Sequence, residues 1–368
     1  MSKSNQAEKF VLVALVAIGI VLMIHNMSTT RDYEYPQAMA APPIKKSHRV
    51  IDNAASDSYA NNLEKYPYNL LAEFQQTSAG SPTIPYFFHV HKSGGTSLRG
   101  VFTCLQKIQT RRINRAGVCE DDENLLRVCK LPFGEELVNR VINIDPSSLS
   151  GIQRGADLGL VEKGTVKGLV DSEGNEESFI VATSRFYDAL NLFTPQRKAQ
   201  LFILFRHPVH RIISKYYYLK KATWENSYRE SVASMTLLEY ASSKYCDNNW
   251  VTRRLVNKMD GDLELSDLEL AKEILSRKAL ILLLDDLEES IERLRVYFGW
   301  HHDSLVGEQR FCLRKFIKEE PINVNPDKPV ISTTSVEWLT IRDKNLMDIE
   351  LMAFATTLYK EQRKKLYR

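Results

Sequence analysis

The sequence predicts an α/β fold: a parallel sheet with helices on both faces. Three observations lead there. Residues 201–205 (Leu-Phe-Ile-Leu-Phe) and 279–284 (Ala-Leu-Ile-Leu-Leu-Leu) are unbroken apolar runs, the composition of strands buried on both faces. Each run is followed by residues with helical spacing, so strands and helices alternate. Residues 84–97 read Ile-Pro-Tyr-Phe-Phe-His-Val-His-Lys-Ser-Gly-Gly-Thr-Ser, an apolar strand entering a helix through a short glycine loop.

From the N-terminus, residues 10–24 are apolar and uncharged. As a helix they span about 22 Å, which suits a thin early-secretory membrane when residues 25–27 are included. A cleaved signal peptide is the competing reading, but Ala38-Met39-Ala40 lies far beyond the apolar run for a cleavage site. The expected organisation is a cytoplasmic tail at 1–9 with Lys3 and Lys9, a transmembrane signal anchor at 10–27 and a luminal stem at 28–80. The stem carries Pro36, Pro42, Pro43 and Pro67 among small polar residues. The folded domain is expected at 81–368.

Within that domain, residues 84–90 predict the first strand and 96 to about 106 the helix behind the glycine loop. Residues 107–170, rich in charge and glycine, read as an insertion over one sheet edge. Residues 178–183 and 201–205 predict strands. Residues 208–221 predict a helix with Ile212, Ile213, Tyr216 and Tyr217 on its buried face. Tyr216, Tyr217 and Tyr218 read as helix core, and Arg211 is expected to pair internally. Helices follow at 236–245 and 266–278, the second capped by Ser266 with Glu269 three residues on. Residues 279–284 predict a strand, 286–298 a helix, 321–329 a loop and 335–362 a helix pair.

Composition excludes little. Over 368 residues, 43% are hydrophobic and 26% charged, as in an ordinary globular protein. A net charge of +3 and no recognisable motif give no support to nucleic-acid binding. The five cysteines are Cys104, Cys119, Cys129, Cys246 and Cys312. One bridge is expected within the cluster Cys104, Cys119 and Cys129, and the odd count leaves at least one thiol over. No cysteine or histidine spacing suggests a metal site.

The glycine loop has the chemistry of an anion cradle. Gly94 and Gly95 let backbone approach a ligand closely, and the helix behind them offers free amides at its positive end. Lys92 adds a point charge; Ser93, Thr96 and Ser97 add hydroxyls. The nucleotide loop GxxxxGK[ST] has its lysine after the last glycine, whereas Lys92 precedes both. A second segment, Arg206-His207-Pro208-Val209-His210-Arg211-Ile212-Ile213-Ser214, starts where the 201–205 strand ends. Arg206 is suited to fork onto a phosphate, and Ser214, eight residues on, to donate from the following helix. Both segments lie at strand carboxyl ends, where open α/β sheets bind ligands.

These two segments resemble the 5′-phosphosulfate loop and the 3′-phosphate motif of PAPS-dependent sulfotransferases. The closest resemblance is to the membrane-bound carbohydrate sulfotransferases of the secretory pathway. It spans roughly 84–330. Asn249-Trp250-Val251-Thr252-Arg253, residues 284–300 and Asn323-Val324-Asn325 are weaker echoes in the same order. The resemblance implies a P-loop-like domain anchored as a type II protein in the Golgi membrane. It implies 3′-phosphoadenosine 5′-phosphosulfate as donor, a carbohydrate or glycoconjugate hydroxyl as acceptor, and no metal. Lys92 would stabilise the leaving phosphate, Ser93 to Ser97 would hold the 5′-phosphate, and Arg206 and Ser214 the 3′-phosphate.

A general base is also required. Relatives often carry a histidine in the segment that here reads Thr183-Ser184-Arg185-Phe186-Tyr187-Asp188, and none occurs. His91, directly before Lys92, and Asp188 are the candidates. His89 shares a face with His91 and reads as a buried orienting group. Arg111, Arg112 and Arg115 read as a solvated loop face. Arg253 and Arg254 read either as surface charge or as neighbours of the donor. Two other classes remain open. A kinase-like phosphotransferase lacks a clear magnesium-binding aspartate, Asp285 being the nearest. A non-catalytic glycan-binding protein has only the absent histidine in its favour.

Overall fold

Residue placement in the computed structural model is described for 83–113, 119, 123–133, 137–225, 228–300, 307–319 and 329–367. The expected tail, anchor and stem lie outside the described residues, as do Arg115 and the echo at 323–325. No helix among the described residues is long and apolar enough to cross a membrane.

The strand that feeds the glycine loop sits near the middle of the sheet. β1 (Ile84–Phe88) leads into helix α1 (Gly95–Cys104) and then β2 (Ile108–Arg111). Next come the hairpin β3 (Val128–Phe133) and β4 (Leu137–Asn143), helix α2 (Leu149–Asp157), β5 (Phe179–Thr183) and α3 (Phe186–Leu190). β6 (Ala199–Phe205) is followed by α4 (Pro208–Leu219), α5 (Glu230–Ser234), α6 (Leu237–Ser242), α7 (Trp250–Leu255) and α8 (Leu265–Lys278). β7 (Ala279–Leu283), α9 (Leu287–Phe298), α10 (Gly307–Arg314), α11 (Val336–Asp343) and α12 (Leu346–Leu366) complete the described chain. The seven strands are ordered β3-β4-β2-β5-β1-β6-β7, and only the β3/β4 pair is antiparallel.

β1, β5 and β7 are buried at every position, as their apolar sequences require. Alternate side chains feed two cores. Tyr86, Phe88, Val181 and Ile203 meet Leu268 and Ile274 of α8 and Leu351 and Leu358 of α12 on one face. Phe87, Ala182, Phe202 and Leu204 meet Leu98 and Phe102 of α1 and Ile291 and Leu294 of α9 on the other. A third cluster packs Val209, Ile212, Ile213 and Tyr216 of α4 against α6 and Trp338 and Ile341 of α11.

β1 is flanked by β5 and β6, and the chain crosses over it between those two strands. Loops leaving the carboxyl ends of β1 and its neighbours therefore diverge and leave a crevice there. The glycine loop lies at this point.

Three expectations need correction. Residues 107–170 are not an insertion over the edge: β2, β3 and β4 extend the sheet itself. Their hydrogen bonds go to β5 and to each other, a pairing that charge-rich composition conceals. α8 begins one residue earlier than expected. Glu264 is its N-cap, in a capping box with Asp267, in place of Ser266 and Glu269. Among the cysteines, Cys119 pairs with Cys129 as the cluster suggested, but Cys104 pairs with Cys312, 208 residues away. That bridge joins α1 to α10, which lie on the same face of the sheet. Cys246 is a buried free thiol.

Candidate functional site

The loop at the end of β1 is a tight left-handed turn. Lys92 and Gly94 both have positive φ, 63° and 82°. The Ser93 amide donates to the Val90 carbonyl at 3.3 Å. Both glycines are required, but for contact as much as for conformation. A Cβ on Gly95 would fall 2.1 Å from His89 Nε2, and one on Gly94 2.6 Å from the Leu284 Cδ1 methyl. α1 starts with Gly94 as N-cap and no side-chain cap, so no cap side chain competes for its first-turn amides. Ser93 is 1% exposed, and its Oγ has no hydrogen-bond partner among the described residues. A buried hydroxyl of this kind fits a site built for an acceptor-rich ligand. Ser97 is buried and Thr96 exposed at the same helix start.

The second segment reaches this loop. Arg206 lies at the end of β6, and its Nη1 donates to the Lys92 carbonyl at 2.9 Å across 114 residues of sequence. Ser214 and Tyr218 are four residues apart in α4 and so share a helix face. The Lys92 ammonium sits 3.9 Å from the centroid of the Tyr218 ring. Tyr218 in turn donates its hydroxyl to Glu225. Tyr216 is buried, and Tyr217 and Tyr218 pack half-buried against the same α4 cluster, as expected, with Tyr218 also meeting Lys92.

The electrostatics are those of crowded cations. Burial lowers the pKa of Lys92, Arg206 adds to the effect, and Glu225 opposes it. Burial also lowers that of Arg206, partly offset by Asp285. Burial and the hydrogen bond to Glu225 push Tyr218 up to about 12, so it stays protonated at neutral pH.

The candidate bases are His91 and Asp188, with His89 beside His91. His89 packs against Gly95; burial, then His91 and Arg99, hold its pKa well below the ordinary imidazole value. Its position matches the expected orienting group. His91 stands 5.2 Å from His89 and 5.6 Å from Trp250, ring centroid to centroid. Crowding around the ring, then Lys215 and Arg211, push its pKa down to about 4, against the pull of Asp247. His91 itself keeps an exposed edge, so water still reaches it. Asp188 forms an ion pair with Arg185 at 3.2 Å. Arg185, in the segment expected to hold a histidine, also donates to the Ser147 carbonyl at 2.8 Å.

A polar network on this flank escaped sequence reasoning. Arg211 and Lys215 of α4 share the Asp247 carboxylate at 2.7 and 2.6 Å. Burial alone would raise the pKa of Asp247; the two cations outweigh it and hold it at about 2. Trp250 stacks on Phe88 at 6.0 Å, with the Arg211 and Arg254 guanidinium carbons 5.6 and 5.4 Å from its ring. Residues of the weaker sequence echo hold neighbouring backbone in place. Asn249 accepts from the Met347 and Asp348 amides at the start of α12, and Arg253 donates to the Asn248 and Lys258 carbonyls. Arg254, one residue on, faces the indole. The internal pairing expected for Arg211 is observed. The Arg211–Asp247 partners lie 36 residues apart, and no local pattern marks them.

No family model matches this sequence, and no curated protein matches it. The geometry of the two segments and the resemblance noted for them therefore carry the functional reading.

Proposed function

We propose that this chain transfers a sulfuryl group from 3′-phosphoadenosine 5′-phosphosulfate to a hydroxyl of a carbohydrate acceptor. The observation that carries the reading is the hydrogen bond from Arg206 to the Lys92 carbonyl, which joins the two segments that resemble phosphate motifs. A ligand with two separate phosphate groups, one at Gly94–Gly95 and one at Arg206 and Ser214, fits that pairing. The unpartnered Ser93 hydroxyl and the close-packed glycines agree with it. The carbohydrate acceptor rests on the resemblance alone.

In this reading the donor supplies an activated sulfuryl group, whose bond to the bridging phosphate oxygen breaks as a bond to the acceptor oxygen forms. Lys92 and the first-turn amides of α1 stabilise charge on the departing phosphate. Arg206 and Ser214 bind the 3′-phosphate and so reject donors that lack one. His91 or Asp188 takes the acceptor proton. The Cys104–Cys312 and Cys119–Cys129 bridges favour an oxidising compartment, in keeping with a Golgi-luminal, type II arrangement.

The test is calorimetric titration of the full-length chain with 3′-phosphoadenosine 5′-phosphate, with ADP as control. The expected result is binding that requires the 3′-phosphate and weakens at least about tenfold in Arg206→Ala, as loss of a charged hydrogen bond implies. Equal binding of ADP, or no binding of either nucleotide, overturns the reading.

A further inference from the structure

We propose that Arg254, held over Trp250, binds an anionic group, a carboxylate or a sulfate ester, on the acceptor sugar chain. The inference rests on the sulfotransferase reading and deepens it by naming the acceptor class.

Arg254 is half-buried, yet it makes no hydrogen bond or ion pair with any described residue. Its Nε is closed off from water and has no partner among them. Nearby carboxylates are already engaged. Asp188 pairs with Arg185, and Asp247 is shared by Arg211 and Lys215. Asp348 accepts from the Val251 and Thr252 amides and the Thr252 hydroxyl. Arg211, 1% exposed, likewise keeps Nε and Nη2 without partners among the described residues. The flank thus holds more guanidinium capacity than its own carboxylates use.

Leaving a buried donor such as this Nε without a partner is costly unless a ligand completes it. Burial lowers the pKa of Arg254 and Arg185 repels it, so an incoming anion would relieve both effects. The guanidinium carbon lies 5.4 Å from the indole centroid, within reach of a cation–π attraction, and its fork suits a bidentate carboxylate or sulfate. His91 meets the edge of the same indole and precedes Lys92 in the loop. An anion on Arg254 therefore lies one indole away from the base candidate. That spacing suits an acceptor held by its charge while a neighbouring hydroxyl faces the loop.

The experiment uses the full-length chain saturated with 3′-phosphoadenosine 5′-phosphate, in wild type, Arg254→Ala and Arg254→Lys. Three probes are titrated: a hexuronate-containing oligosaccharide, its carboxyl-reduced form, and an O-sulfated derivative of the reduced form. Wild type should bind one or both charged probes at least about tenfold more tightly than the reduced one, the scale of a charged hydrogen bond. Preference for the hexuronate identifies a carboxylate, and for the derivative a sulfate ester. Arg254→Ala should remove the preference, and Arg254→Lys should restore part of it. Wild type that binds charged and uncharged probes equally, or binds none of them while holding the nucleotide, overturns the proposal. So does an Arg254→Ala protein that keeps the preference, or one that loses nucleotide affinity instead. Failure of wild type to bind the nucleotide at all refutes the underlying sulfotransferase reading, a separate and earlier outcome.

Discussion

The glycine loop and the Trp250 segment meet through His91 but are held in place differently. The loop is made by near neighbours: a buried strand, two glycines and a helix start within about a dozen residues. The Trp250 segment is held from afar. Asp348, 96 residues on, caps the start of α7, and the Asn345 side chain both donates to the Asp247 carbonyl and accepts from the Asn249 amide. Asn249 returns the favour at α12, so each helix start is capped by the other's neighbourhood. The difference separates function from support. Changes in the loop should act on chemistry, and changes behind Trp250 should act on stability.

Lys92→Ala should give the largest effect and the purest loop phenotype. Turnover should fall about 10²- to 10³-fold, while nucleotide affinity changes by less than about tenfold. Single-turnover kinetics beside calorimetry would separate the two. Unchanged turnover removes Lys92 from the chemistry and breaks the contrast.

Asp247→Ala is the counterpart behind Trp250. It leaves Arg211 buried without its carboxylate, so denaturant melts should show a loss of about 3–5 kcal/mol. The protein that stays folded should still bind nucleotide. The acid dependence has a definite sign. Asp247 is held at about 2, below the ordinary carboxylate value of about 3.9 for an unfolded chain. Its stabilisation is therefore complete above about pH 4 and is lost as pH falls toward 2. Asp247→Asn should be less stable at neutral pH and should lack that part of the acid loss; an unchanged acid limb would dismiss the network as its source.

Gly95→Ala sharpens the comparison further. The added methyl meets the His89 ring, so about 1–3 kcal/mol and most nucleotide binding should be lost. Gly261, at φ 73° with nothing within 4 Å, is the control. Its alanine variant should cost only about 1–2 kcal/mol of backbone strain and leave binding alone. Similar losses of nucleotide binding from both substitutions would show that the loop's packing is not special.

The smallest effect should lie in the pH profile. With the His91 pKa held below the ordinary imidazole value, turnover should show no inflection at that value. If His91 is the base, His91→Asn should lose activity while Asp188→Asn keeps it. The reverse pattern assigns the role to Asp188.

The sequence by itself determined the alternation of buried strands with helices, the strand–glycine–helix loop, and the placing of the Lys92 and Arg206 segments at strand carboxyl ends. These are local features, written in apolar runs, glycine positions and short spacings. Only the tertiary structure decided the three strands within 107–170, the Cys104–Cys312 bridge, the place of Tyr218 beside Lys92, and the Arg211–Asp247–Trp250–Arg254 flank. Each depends on partners distant in sequence. Charge patterns show that such residues are polar, but not which face another element will bring against them; packing across the sheet makes that choice.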